Sequence, residues 1–323
     1  MQKFWTTLVA TCALSMAPAL AFAQTDYPNK PITLVVAFSP GGSTDNLARA
    51  MVENLSNQLG QPVVVENRAG AGGYVAWRSM QEAEPDGYTV LLAENAMAIG
   101  KALRPDEPLD PREAFEPIAR IGTAPIALII NSDLEPNTFE EFLEKAKSED
   151  GITFSSSGVG SVSHLTFEAL AAETEMNAQH VPYSGGGEAN AAVAGGHVDA
   201  MMQSIGSSRQ LQEAGNVKVL AVSAQERVEA FPDAPTFSEL GITPRAELRF
   251  WWGMFVPAGT PDPVKAKLQG AIQAMLDDPA AQQRLSAIEV APEFAEAQEM
   301  GSVLDSEITN WSAYIEARGI SPQ

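Results

Sequence analysis

The alternation of strand-like and helix-like segments limits the fold of this chain more than any other feature. Ile32–Phe38 reads as a short apolar strand. A helix is predicted over Asp45–Leu59, with Leu47, Met51, Leu55 and Leu59 on one stripe and Gly60 as its stop. Pro62–Val65 and Tyr88–Ala93 read as further strands, separated by a helix over Tyr74–Ala83 and an Asp86-Gly87 turn. A second unit begins near Ala124. Its predicted strands are Pro125–Ile130, Ile152–Ser156, Gln179–Val181, Val198–Met202 and Val217–Ser223, with helices at Thr138–Lys147, Ser161–Ala172 and Glu188–Ala194. The tail segments Pro263–Leu276 and Pro279–Ile288 are predicted helical. Strands that are apolar on both faces, spaced by helices, imply an α/β fold with mainly parallel sheets flanked by helices.

The first residues carry an export pattern. Lys3 is followed by a mostly apolar run from Phe4 to Leu20 and by Ala21-Phe22-Ala23, a small-x-small cleavage site. The run is too short for the ~20 residues of a spanning helix. Residues 1–23 are therefore expected to be a signal peptide removed after Ala23, leaving a periplasmic chain that starts at Gln24. About 300 residues then remain, more than one compact core usually serves. Two lobes are expected, 24–124 with 226–323 and 125–225, joined by ordered crossings near Ile121–Ala124 and Ala221–Gln225 that suit a hinge. The one cysteine, Cys12, lies in the signal, so neither a disulfide nor a cysteine metal site is expected in the exported chain. A net charge of −21 offers no basic stripe for nucleic acid. It does not forbid an anionic ligand, because salt screens surface charge over ~8–10 Å and donors inside a cleft act locally.

One supersecondary unit occurs twice. Strand Ile32–Phe38 runs into Ser39-Pro40-Gly41-Gly42-Ser43-Thr44-Asp45 and then a helix. Strand Ile152–Ser156 runs into Ser157-Gly158-Val159-Gly160-Ser161 and then a helix. Glycines let the backbone come close to a ligand, and the first helical N–H groups lack internal partners at the positive end of the helix dipole. Each loop is a candidate anion site. A serine before a helix can also be no more than its cap, but two such loops beyond the carboxyl ends of strands in separate lobes can face each other across a cleft. A third loop, Tyr183-Ser184-Gly185-Gly186-Gly187, again precedes a helix and can form another wall. Enzyme motifs fit less well. Gly41 to Asp45 lacks the Lys of a nucleotide loop, Gly70-Ala71-Gly72-Gly73 is followed by Val75 where a dinucleotide fingerprint needs glycine, and there is no Gly-x-Ser-x-Gly elbow. His164, His180 and His197 lack metal-ligand spacing. Trp251 and Trp252 could stack on a ligand ring or pack in the core, since neighbours on a strand face opposite ways.

The same loops carry a family resemblance. Tyr27-Pro28, Pro40-Gly41-Gly42 with Asp45, Gly60-Gln61-Pro62-Val63-Val64-Val65-Glu66-Asn67-Arg68, Gly70-Ala71-Gly72-Gly73 and Pro85-Asp86-Gly87-Tyr88-Thr89 occur in order. They are followed by Ser156-Ser157-Gly158, Gly160-Ser161 with His164, Val181-Pro182-Tyr183 and Pro257-Ala258-Gly259-Thr260-Pro261. In order and spacing the chain resembles the substrate-binding proteins of tripartite tricarboxylate transporters, the Bug or TctC family. The resemblance implies a periplasmic, two-lobed binding protein of type II (a Venus flytrap), non-enzymatic and without a cofactor. It implies that the chain, expected to be a monomer, hands a small organic carboxylate to a membrane permease; a sensing subunit that signals to a membrane receptor is the alternative. It points to Ser39, Gly41, Gly42, Ser43, Thr44 and Asp45 on one side of the cleft and Ser157, Gly158, Gly160, Ser161 and His164 on the other. Asn95, Tyr183, Ser184 and Gln203 complete the candidate ligand-binding set. Ser184 stands where relatives often have Lys, and Gln203 where they often have Asp. A ligand amine would lack a carboxylate partner there, which disfavours amino acids as ligands.

Overall fold

The computed structural model describes residues 27–242 and 249–320. The signal segment expected over 1–23 lies outside the described residues.

The first lobe starts β1 (Ile32–Val36), α1 (Ser43–Leu59), β2 (Val63–Asn67), α2 (Tyr74–Gln81), β3 (Thr89–Glu94), α3 (Ala96–Leu103) and the short α4 (Pro111–Ala114). β1 pairs in parallel with β2 on one side and β3 on the other. Leu47, Met51, Leu55 and Leu59 of α1 are all buried, and Gly60 ends the helix in the left-handed region at φ +68°. The next strand, β4, runs from Phe115 to Asn131. The second lobe follows as α5 (Phe139–Ala146), β5 (Ile152–Ser156), α6 (Val162–Thr174), β6 (Ala178–Pro182), α7 (Gly186–Ala194), β7 (Ala200–Ser204), α8 (Ile205–Glu213) and β8 (Val217–Val222). β5 pairs in parallel with both β6 and β7. The chain returns to the first lobe as β9 (Arg249–Pro257), α9 (Asp262–Leu276), α10 (Pro279–Ala287), β10 (Ala291–Glu296) and α11 (Ala297–Arg318).

The two parallel sets are joined by antiparallel strands, in the order β2-β1-β3-β9-β4-β7-β5-β6. β4 is the bridge. It pairs with β9 from Phe115 to Pro125 and with β7 from Ile126 to Ile130. The strand expected from the sequence starts only at Pro125, whereas β4 begins at Phe115 and runs through Pro117 and Gly122, residue types that strands tolerate poorly. Irregularities in the β9 register between Pro117 and Ala119 and between Arg120 and Gly122 absorb both residues without ending the strand. Gly122 is required there: a Cβ would lie 2.6 Å from the Ala291 carbonyl of β10.

β10 and α11 lie beyond the last helix expected from the sequence. α11 buries Met300, Leu304, Ile308, Trp311 and Ile315 at spacings of three and four, one stripe on an otherwise polar helix. Trp251 and Trp252 are both core residues on opposite faces of the first-lobe sheet, 3% and 0% exposed. Trp252 packs with the α1 side and Trp251 with the side formed by α2, α3 and α11.

Candidate functional site

The first loop leaves β1 at Ser39 and turns at Gly41, whose φ of +82° favours glycine. Asp45, 2% exposed, organises it. Its carboxylate accepts from the Gly41 amide at 2.9 Å, from Arg49 Nε at 2.9 Å and from Asn67 Nδ2 at 2.9 Å. Burial alone would raise the Asp45 pKa, but the Arg49, Gly41 and Asn67 bonds together outweigh it and hold the group below the usual carboxylate range. Asp45 therefore fixes the loop from behind. Gly42 caps α1 without a side chain, so the amides at the start of the helix have no hydroxyl cap.

The second loop is held mainly by its own hydroxyls and a histidine. Ser156 Oγ lies 2.6 Å from His180 Nε2 and accepts from the Gly158 amide at 3.1 Å. The Ser157 amide donates to Ser163 Oγ at 3.0 Å. Ser161 caps α6 by accepting from the His164 amide at 3.3 Å. The ring of His164 accepts from the Gly160 amide through Nδ1 at 3.2 Å and stacks on His180, with centroids 4.0 Å apart. Burial, with His180 and Arg104 nearby, pushes its pKa down to about 3, so the ring is neutral at physiological pH. His164 is thus committed to the loop backbone and an aromatic stack.

The two lobes touch through these loops. Ser43 Oγ, on the first lobe, donates to Gln203 Oε1 at 2.7 Å and sits 2.7 Å from Ser204 Oγ, both on the second lobe. Gln203 is oriented in turn by Asn190 Oδ1, which accepts from its Nε2 at 2.7 Å. The Ser39–Gly42 loop lies on the Gly185–Gly187 loop so closely that a Cβ on Gly187 would fall 1.9 Å from the Pro40 carbonyl oxygen. A Cβ on Gly185 would fall 2.3 Å from the Ser39 amide nitrogen. On the other flank, a Cβ on Gly72 would meet the Val159 carbonyl at 2.3 Å. Glycine is what lets backbone meet backbone here. The loops after β1, β5, β6 and β7 converge, each leading into a helix, so four helix N-termini point their partial positive charge at one place.

Among the expected site residues, Ser39, Gly41, Gly42, Ser43, Ser157, Gly158, Ser184 and Gln203 lie in this converging set. Tyr183 donates its amide to the Ser156 carbonyl and leads the chain into it. Thr44 lies one layer deeper, its hydroxyl donating to Glu94 and accepting from Trp252 Nε1 at 3.0 Å. Asn95 is engaged elsewhere: its Oδ1 accepts from the Trp251 amide at 2.9 Å and its Nδ2 donates to Glu307 on α11. Sequence reading missed Ser204 and Ser207, which open α8 after β7 in the same strand–hydroxyl–helix pattern and were legible by it. It also missed Arg104, whose Nη1 is buried without a partner 3.2 Å from where a Cβ on Gly160 would stand. Glu94, buried at the end of β3, is the other omission. Ser39 Oγ is likewise buried without a partner, on the first lobe's side of the contact.

Residues 47–320 match the family model described as the tripartite tricarboxylate transporter family receptor, TctC. The chain belongs to this family. Among curated relatives, the protein BugT of Bordetella pertussis is 31% identical over 320 residues, covering 97% of this chain and 98% of that protein. The solved periplasmic binding protein BugD superposes with a TM-score of 0.87 at 32% identity, covering 92% of this chain and all of that one. MatC from Rhodopseudomonas palustris with bound malate gives 0.82 at 30% identity, covering 89% and 99%. R. palustris Rpa4515 with adipate gives 0.86 at 28% identity, covering 92% and 100%. TctC proteins are periplasmic solute-binding proteins, and the two-lobed α/β architecture described above is theirs.

Proposed function

We propose that this TctC protein captures a small organic carboxylate between its lobes, unchanged and without a cofactor, and delivers it to a tripartite tricarboxylate-type permease. The observation that carries this reading is the meeting of strand–helix loops from both lobes, with four helix N-termini converging and Ser39 Oγ and Arg104 Nη1 left without partners beside them. Such a place favours anions. The malate and adipate bound by two relatives support a dicarboxylate as the first probe. In this reading the lobes divide where β4 changes partners, between Pro125 and Ile126, and export removes residues 1–23. Intact mass of periplasmic protein checks the last point; a retained leader or a lipid on Cys12 would refute it.

A ligand that binds only the folded state stabilises it by RT ln(1 + [L]/Kd), about 2.7 kcal/mol at a hundredfold excess over Kd. A panel of mono-, di- and tricarboxylates is therefore expected to contain a compound that raises the melting temperature by several degrees, with or without EDTA. The Ser161→Ala variant then separates ligand binding from capping. Loss of the cap to the His164 amide costs about 1 kcal/mol of stability. Loss of a hydrogen bond to a bound carboxylate, about 1.5–3 kcal/mol, weakens binding tenfold or more. A panel without any stabilising carboxylate, or a compound converted during incubation, would refute the proposed function.

A further inference from the structure

We propose that Arg209 and Glu289 are a positioning pair that holds the two lobes together and so sets ligand affinity without belonging to the converging loops. The inference rests on capture between the lobes, as proposed above. Arg209 lies on α8 of the second lobe. Its Nη1 donates to the Glu289 carboxylate and its Nη2 to the Ala287 carbonyl at 2.7 Å, both at the end of α10 in the first lobe. One turn earlier on α8, Gly206 lies against the same segment. A Cβ there would fall 2.0 Å from the Ile288 carbonyl oxygen. The end of α10 thus meets the second lobe twice, through bare backbone at Gly206 and through a guanidinium at Arg209.

The same helix carries the contact with the first loop. Ser204 and Ser207, at the start of α8, bring their hydroxyls to 2.7 and 3.4 Å from Ser43 Oγ. One rigid helical segment therefore touches the start of α1 and the end of α10 together, and what stabilises one contact favours the other. The affinity of a site made by two lobes falls with the fraction of molecules in which they are together. At 32% and 29% exposed, the two side chains are screened by water only in part. Glu213, on the same helix as Arg209, lies 3.6 Å from its Nε, so the arginine keeps an acidic neighbour when the lobes part. That lowers the cost of opening and makes the pair reversible. Glu289 also stands at φ +57°, in the left-handed position that closes α10 and that glycine usually fills. The Val290 amide donates to the Leu285 carbonyl at 3.0 Å, as such an ending requires.

That conformation supplies a clean test. Glu289→Gly removes the carboxylate and suits the turn, so the melting temperature without ligand is expected to stay at or above the parent value. The probe is the carboxylate of the panel that most raises the melting temperature of the parent. It is expected to bind Glu289→Gly and Arg209→Ala about fivefold more weakly, and the double variant no more weakly than either. Small-angle X-ray scattering of the mature proteins without ligand is expected to give a larger radius of gyration for Glu289→Gly. Equal scattering together with unchanged affinity overturns the proposal. So does coupling between the two substitutions in unfolding free energy but not in probe affinity, which would make the pair merely structural. Absence of any binding carboxylate would refute the proposed function instead, and the scattering comparison alone then decides the positioning role.

Discussion

Gly187→Ala is expected to reduce carboxylate affinity by a hundredfold or more while leaving the unliganded protein folded. The methyl group would stand 1.9 Å from the Pro40 carbonyl oxygen, on the opposite lobe. That neighbour is backbone, which cannot turn aside as a flexible side chain can. Gly187 does not need a left-handed conformation, so alanine is not strained within its own lobe. The clash exists only when the lobes meet, and hinge opening relieves it. Closure is what brings the Ser39–Gly42 loop to the second lobe, so a ligand would keep the contacts of one lobe only. Losing the shared contacts at about 1.5–3 kcal/mol for each hydrogen bond to a charged group exceeds the roughly 2.7 kcal/mol of a hundredfold change once two are lost. Calorimetry with the most stabilising carboxylate of the panel measures the affinity, and the melting temperature without ligand measures the fold. Wild-type affinity in Gly187→Ala would mean that capture does not require this lobe contact.

Glu94 is expected to make stability fall as pH rises from about 4.5 to about 7. Burial raises its pKa, and the hydrogen bonds from Thr44 and Trp252 only partly oppose that, so the carboxyl is pushed up to about 7. Below the unfolded value of about 4.5 the group is protonated in both states, and its stabilising effect is fully present. Between 4.5 and 7 the folded protein keeps the proton and the unfolded chain releases it. Stability is therefore lost with rising pH until the folded group ionises, and the loss amounts to about 3 kcal/mol. Glu94→Gln keeps the size and removes the titration. Urea unfolding from pH 5 to pH 8 is expected to give a flatter profile in Glu94→Gln, and a variant more stable than the parent at pH 8. Because Glu94 sits beneath Thr44 on the first loop, its ionised form also disfavours an anion there, and Glu94→Gln is expected to bind a dicarboxylate more tightly at pH 8. Parallel stability profiles for the two proteins would show that Glu94 does not titrate in this range.

Much of the fold was legible because its signals are local. The α1 stripe at Leu47, Met51, Leu55 and Leu59 is a helical period that needs no partner to be read, and Gly60 stops it by its own conformation. The strands flanking the loops are short and apolar, and their bounds shift by only a residue or two. The long strand β4 was not legible past Pro125. Pro117 and Gly122 are breakers by local preference, and only pairing with β9 and β10 makes them tolerable. α11 carries its stripe among many charges, which blur the period.

The sequence by itself determined which loops could touch an anion: glycine at Gly41, Gly158, Gly160 and Gly186, and hydroxyls at Ser39, Ser43, Ser157 and Ser161, all just before helices. Those properties belong to residues and their nearest neighbours, so one chain states them. Tertiary structure decided which candidates share a place. It set Ser43 against Gln203 and Ser204, a contact between residues some 160 positions apart that no local pattern encodes. It drew Asn95 away to Trp251 and Glu307, and turned His164 into a packed ring that holds the Gly160 amide. It also made Glu94 a buried acid. A glutamate after an apolar strand looks like a solvated end, and its chemistry changed only because α1 and β9 close over it. Burial and charge depend on everything within a few ångströms, and that neighbourhood exists only once the chain has folded.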